Sequence, residues 1–135
     1  SRNDYDGVRA AGHNRAINRQ KYDLHEIESA LVGGDWLRQQ VYTQLSQLIQ
    51  LRRRQPAFHP DNAMTLFDSE NALLVLKRHL PDSEAGLLCV FNLSSRKVET
   101  RLPEARTFQD VISGEKIEGT QPLTLDAWQF MWLRG

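Results

Sequence analysis

The apolar residues of this chain change their spacing once, between Pro56 and Pro60, and that change restricts the fold more than any other feature. Before it they recur every three or four positions; after it they alternate or fall in short unbroken runs. A chain divided in this way reads as a helical segment, residues 1–60, followed by a β module, residues 61–135, with the joint near 56–63. At 135 residues it holds one domain, or one domain with a piece of another, and not a complete large enzyme.

Two helices are predicted in the first segment. Asp23 and Glu26 have the spacing of a capping box, and Leu24, Ile27 and Leu31 follow at helical intervals, giving a helix over 23–32 that stops at Gly33-Gly34. Asp35 can cap a second helix running to about Arg54, where Gln55-Pro56 ends it. Its stripe is Leu37, Val41, Leu45, Leu48 and Ile49. At ~1.5 Å per residue such a helix is about 28 Å long and needs a large apolar partner. Arg52-Arg53-Arg54 at its end offsets the macrodipole more simply than it makes a nucleic-acid patch.

Past Pro60 the pattern predicts strands at 64–67, 71–79, 86–92, 97–102, 107–111, 122–125 and 128–133, divided by Gly-, Pro-, Ser- and Asp-rich turns. This is the layout of a small antiparallel β-sandwich. The runs LLVL at 73–76 and LLCVF at 87–91 point to central strands covered on both faces. Trp128 and Trp132, four apart on one predicted strand, would share a face and pack in the core, and His59 would pack at the joint between Phe58 and Pro60.

Charge and cysteine content remove several classes. Seventeen Lys and Arg balance seventeen Asp and Glu, so no bulk field draws the chain to nucleic acid or to an anionic membrane. Cys89 is the one cysteine, which leaves no internal disulfide and no cysteine metal cage, and it favours a cytoplasmic setting. Inside its apolar run it is expected to be an inert buried thiol. Neither a metal-ligand spacing nor a Gly-rich phosphate loop occurs, so no metal and no cofactor is expected. The opening residues 1–22 have no hydrophobic period and are read as a long functional loop, which suggests a piece excised from the C-terminal end of a longer protein.

Several strings sharpen this. NRAINRQKY at 14–22 resembles the Gly-Arg-Asp-Ile-Asn-Arg stretch of sucrose phosphorylases, and RNDYDGV at 2–8 resembles the segment preceding it. LIQLRRRQPAFHP at 48–60 is similar to a last barrel helix and its exit, and LLCVFNLS at 87–94 and LTLDAWQFMWL at 123–133 resemble a terminal β domain. On these strings the chain resembles the sucrose-phosphorylase-like branch of the α-amylase superfamily of glycoside hydrolases, a branch that includes glucosylglycerate phosphorylase. The resemblance implies an α+β fragment: the last loop and helices of a (β/α)8 catalytic barrel over 1–60, then an antiparallel β domain over 61–135.

The activity so implied is phosphorolysis of sucrose or a related α-glucoside such as glucosylglycerate, giving glucose 1-phosphate with retention, so that the parent's partners are a sugar and inorganic phosphate. The catalytic carboxylates of such a reaction lie upstream of this stretch, which is therefore expected to hold no catalytic residue and to be inactive alone. By the motif match Arg15 is the arginine that contacts the donor glucose, a task suited to a planar guanidinium with five donors. Arg19, Asn18, Asp4 and Tyr5 are the further candidate substrate-binding residues at the pocket mouth. The bland alternatives are that the arginines bracket the loop and that Asp4 and Asn18 merely make turns. His13 has the chemistry to hold phosphate but is more simply an exposed loop histidine. Asn14 and Ala16 depart from the sucrose phosphorylase pattern, as do Gln20 and Lys21, which leaves donor and acceptor open. A different class of reading also stands: a non-catalytic β module that binds carbohydrate or a protein partner, with the helices as its attachment.

Overall fold

The computed structural model describes residues 3–18, 21–34, 36–69 and 72–135. It divides into two compact units, Ser1–Ser46 and Gln47–Gly135.

In the first unit the opening segment is more ordered than its lack of period implied. Helix α1 spans Tyr5–Ala11, and a 3-10 turn follows at Asn14–Ala16. Asp4 is the N-cap of α1, its Oδ1 accepting from the Gly7 N–H at 2.7 Å. Gly12 ends the helix with φ at 66°, a left-handed conformation that glycine adopts without Cβ strain. Seven residues set by their caps carry no apolar stripe for a periodicity test to find.

Helix α2, Leu24–Ser29, has the expected capping box: the His25 N–H donates to Asp23 Oδ1 at 2.8 Å, and the Asp23 N–H to Glu26 Oε2 at 3.3 Å. It passes into a π turn at Ala30–Gly34. Helix α3 covers Trp36–Arg53, close to the predicted span; its expected cap, Asp35, lies outside the described residues. Leu37, Val41 and Leu45 of its stripe are exposed.

Among the described residues of the second unit the eight strands are β1 Met64–Phe67, β2 Leu73–His79, β3 Gly86–Asn92, β4 Val98–Thr100, β5 Thr107–Asp110, β6 Lys116–Glu118, β7 Leu123–Leu125 and β8 Phe130–Arg134. Six form a sheet ordered β1-β2-β3-β8-β5-β6, and β4 and β7 form a second small sheet. Every pairing given is antiparallel. The predicted strands are all present, β1 and β3 with the predicted bounds and the others with ends shifted by one or two residues; the predicted start of one of them, Asn71, lies outside the described residues. β6 was not predicted, because Lys-Ile-Glu offers one apolar residue at a sheet edge and gives alternation nothing to register.

Strand β3 lies inside the large sheet between β2 and β8, and Leu87 to Val90 are all buried. Leu88 and Val90 join Leu73, Val75, Phe108, Met131 and Leu133 in one core, to which Leu123 and Leu125 of the small sheet belong. Leu87 and Cys89 join Trp132 and Ala57 in a second core, against which Leu48, Leu51 and Phe58 pack. Phe58 meets the Trp132 ring edge-on with centroids 4.8 Å apart. Each buried Leu or Val contributes about 1.5–3 kcal/mol, so a sheet with two apolar faces is stable only with both covered.

Among the described residues, three buried polar ones tie the layers. Asn92 donates from Nδ2 to the carbonyls of Arg96 at 2.6 Å and Asp126 at 2.8 Å, while its Oδ1 accepts from the N–H and the hydroxyl of Ser94. Asp110 accepts from the Trp132 N–H at 2.9 Å and from Ser113 Oγ at 2.7 Å, pinning the turn between β5 and β6 to β8. Lys77 is paired with Glu104 at 2.8 Å, and Glu104 also holds Arg106 at 2.8 Å.

Two expectations fail. Trp128 is not on a strand beside Trp132; it sits in the turn before β8 with φ at 60° and is 64% exposed, while Trp132 is buried. The Trp128 N–H donates to the Ser94 carbonyl at 3.0 Å and the Gln129 N–H to the Asp126 carbonyl at 3.1 Å, so the chain bends there before the strand begins. His59 is also not packed: its side chain is exposed beside Asp61, and the carbonyl of His59 accepts from Arg78 Nη2.

Burial pushes the Cys89 thiol up from its ordinary 9.0 to about 12, although the Arg78 guanidinium pulls it down. The folded state then holds a proton that the unfolded state releases, so Cys89 favours folding fully below about pH 9 and loses that contribution between pH 9 and about 12. Thermal unfolding at pH 8 and pH 10.5 should show a larger fall in Tm for the wild type than for Cys89→Val; equal falls would count against the buried thiol. Asn92→Asp replaces a donor by a carboxylate facing two carbonyls, at about 3 kcal/mol, and should lower Tm by roughly 10 °C. An unchanged melting curve would contradict the role given to this amide.

Candidate functional site

Among the described residues the first unit holds a groove, built from short-range geometry. The Asp4 N–H donates to the Ile17 carbonyl at 2.8 Å and closes residues 4–17 into a loop. Within that loop the Gly12 N–H bonds the Val8 carbonyl at 2.9 Å, and the 3-10 turn is held by the Ile17 N–H to the Asn14 carbonyl at 3.2 Å. The groove so formed has a volume of about 640 Å3 and is lined by Asp4, Gly7, Ala10, Ala11, His13, Ala16 and Lys21. Its small side chains keep it open; a methyl group on residue 7 would collide with the Asp4 carboxylate.

Of the residues expected from the sequence, the structure places Asp4 in the groove wall, half-buried, with one carboxylate oxygen used by the helix cap. Tyr5 is exposed on α1, its hydroxyl accepting from Asn3 Nδ2 at 3.2 Å, and does not line the groove. Arg15 is exposed in the middle of the 3-10 turn, outside the groove lining. Asn18 is exposed just past Ile17. Arg19 lies outside the described residues. Thus Asp4 and Asn18 are drawn together by the bond between residues 4 and 17, while Arg15 stands on the turn between them in sequence.

Sequence reasoning gave little weight to the two basic groove residues, His13 and Lys21. No single residue signals them as lining one groove; the Asp4 to Gly7 cap spacing is the one local sign that the segment folds. A smaller hollow of about 170 Å3, lined by Tyr22, Glu26, Ile27, Ala30, Leu31 and Arg38, is mainly apolar. Among the described residues no group of three or more His, Cys, Asp or Glu is placed to hold a metal ion. No helix among them is long and apolar enough to cross a membrane.

The architecture has relatives. Over 134 residues, 99% of its length, the chain is 40% identical to the glucosylglycerate phosphorylase of Escherichia coli (strain K12). Over 147 residues, covering 98% of it, it is 26% identical to the glucosylglycerate phosphorylase of Spirochaeta thermophila. It spans 23% and 25% of the length of these two proteins. In fold it is similar to AmyP, solved in complex with maltose, with a TM-score of 0.74 at 13% identity over 99% of this chain and 27% of that one. The fold is thus the small antiparallel β domain of α-amylase-type enzymes with a helical portion at its start. Residues 64–132, from the start of β1 into β8, match the model of the maltogenic amylase C-terminal domain, and the chain belongs to that family.

Proposed function

We propose that this chain is the C-terminal portion of a retaining α-glucosyl phosphorylase that cleaves glucosylglycerate, or a related α-glucoside such as sucrose, with phosphate to give glucose 1-phosphate. The observation that carries this reading is the 40% identity to the Escherichia coli glucosylglycerate phosphorylase along 99% of the chain, the opening loop included. In this reading residues 1–60 end a (β/α)8 barrel and 61–135 are its appended β domain. Active sites of such barrels are built by the loops after the strands, so a loop of caps and small residues ahead of α2 suits a pocket rim.

Retention needs two carboxyl groups about 5–5.5 Å apart. One attacks the anomeric carbon while the other protonates the departing glycerate oxygen; a phosphate oxygen then attacks the same carbon and frees the first carboxylate. Both carboxyl groups belong upstream of this stretch, which supplies binding and no chemistry. Arg15 takes the glucose-side position: among the described residues it makes no hydrogen bond or ion pair, so its five donors remain for a ligand or an upstream carboxylate. Asp4 shapes the rim through its cap, and Tyr5, Asn18 and Arg19 complete the proposed binding set. A cytoplasmic setting belongs to the same proposal, supported by a single free, buried cysteine.

The full-length protein incubated with glucosylglycerate and phosphate should release glucose 1-phosphate; absence of that product with every α-glucoside offered would leave the non-catalytic β module as the better reading. In the active protein Arg15→Ala should lower kcat/KM for phosphorolysis about a hundredfold with Tm unchanged, and Arg15→Lys should restore little, since a point charge does not replace a planar fork. Kinetics unchanged in Arg15→Ala would remove that residue from the site.

A further inference from the structure

We infer that the end of the large sheet at Leu93 and Trp128 is a docking surface for the polypeptide that precedes this chain in the longer protein proposed above, with the Trp128 indole as its anchor. This rests on the reading of the chain as a C-terminal portion and adds to it the surface on which the upstream body sits. By register, Leu66 shares a face of the sheet with Leu76, Cys89 and Trp132, a face covered at one end by Leu48, Leu51 and Phe58. That cover is incomplete. Phe91 and Phe130 stack on the same face with ring centroids 5.9 Å apart and remain half-buried, and Met64 and Leu66 on β1 are more than half exposed. Leu93 and Trp128, each two residues beyond the stacked pair, are more than half exposed as well. Apolar surface gathered in this way marks an interaction site.

Trp128 is held in place rather than left loose. Its φ of 60° is a left-handed conformation that a bulky residue keeps only where its surroundings enforce it. The Trp128 N–H donates to the Ser94 carbonyl at 3.0 Å, the Asp126 N–H to Gln129 Oε1 at 2.7 Å, and Asn92 Nδ2 to the Asp126 carbonyl at 2.8 Å. A residue mounted on so fixed a turn loses little freedom on binding, and tryptophan is enriched among the residues that dominate interface energies. The charges alongside, Lys97 and Asp126, are paired with each other at 2.9 Å, so the surface suits an apolar partner rather than an ion. Continuity names the occupant. The last turns of α3 already lie on this face, and the chain spans 23% and 25% of the phosphorylases it matches, so most of the proposed parent reaches this unit through that helix. A body joined there has the uncovered part of the face beside its point of attachment.

The test is hydroxyl-radical footprinting of the full-length protein, read by mass spectrometry on the tryptic peptide 117–134, which carries Trp128 together with the buried Trp132. The two indoles are expected to oxidise at rates within about threefold of each other, unaffected by dilution of the protein about a hundredfold or by added maltotriose. Faster oxidation of Trp128 under every condition means a bare surface and overturns the inference. Protection lost on dilution makes the occupant a second copy, and protection that appears only with maltotriose makes it a sugar; either result overturns the inference too. Trp128→Gly is the second arm, since glycine takes a φ of 60° without strain and the substitution removes only the indole. It is expected to lower the Tm of the full-length protein by about 2–4 °C and to raise the oxidation of Leu93 and Phe130 about fivefold, with Phe108 in the other core unchanged. A Tm at or above that of the wild type, with Leu93 no more reactive, contradicts the anchor. Glucose 1-phosphate formation, assayed in parallel, tests the phosphorylase reading separately: its absence fails that reading and leaves the footprint to decide the docking surface.

Discussion

The β unit depends on strand β3 being covered on both faces. Leu88 and Val90 point to one core and Leu87 and Cys89 to the other, and none of the four is more than 2% exposed. A strand apolar on both sides has no face to offer to water, so the sheet around it must acquire two covers. One is the small sheet, through Leu123 and Leu125; the other is the end of α3 with the turn at Pro56–Phe58, through Leu48, Leu51 and Phe58. The last turns of α3 are therefore part of the β fold, and the unit boundary at Gln47 lies inside the helix rather than after it. The raised thiol of Cys89 is a consequence of the same burial.

Polar groups then fix what apolar burial leaves free. Asn92 and Asp110 are each 2% exposed, and each satisfies backbone groups of a neighbouring segment, Asn92 the turn carbonyls of Arg96 and Asp126, Asp110 the N–H of Trp132. Buried amides and carboxylates fully used in this way specify register as well as stability. The opening segment in the first unit works by smaller devices of the same kind, an N-cap, a left-handed glycine and one backbone bond between Asp4 and Ile17. Its fold takes little from apolar packing, since none of the residues of α1 is buried.

That contrast explains what could be read from the sequence. The strands around LLVL and LLCVF, and the helices announced by Asp23-Glu26 and by the Leu37 to Ile49 stripe, leave a hydrophobic or capping pattern, and all are found. Helix α1 leaves only a cap and a glycine, β6 only Ile117, and both were missed. Trp128 looked like a strand residue because two tryptophans at an even spacing fit alternation, while the bend at Asp126–Gln129 depends on bonds donated to the Ser94 carbonyl by the Trp128 N–H and to the Gln129 side-chain oxygen by the Asp126 N–H. At the site, Arg15 and Asp4 came from motif resemblance, whereas His13 and Lys21 line one groove without any pairwise spacing that expresses it.

Native-state hydrogen exchange tests the two-faced sheet most directly. The amides of Leu88 to Phe91 in β3 and of Met131 to Leu133 in β8 should exchange slowest, at the rate of global unfolding, with those of the edge strands β1 and β6 well ahead of them. Exchange from Cys89 and Val90 as fast as from Thr65 or Ile117 would mean that one face of β3 is open to water, and the account of how this domain holds together would be wrong.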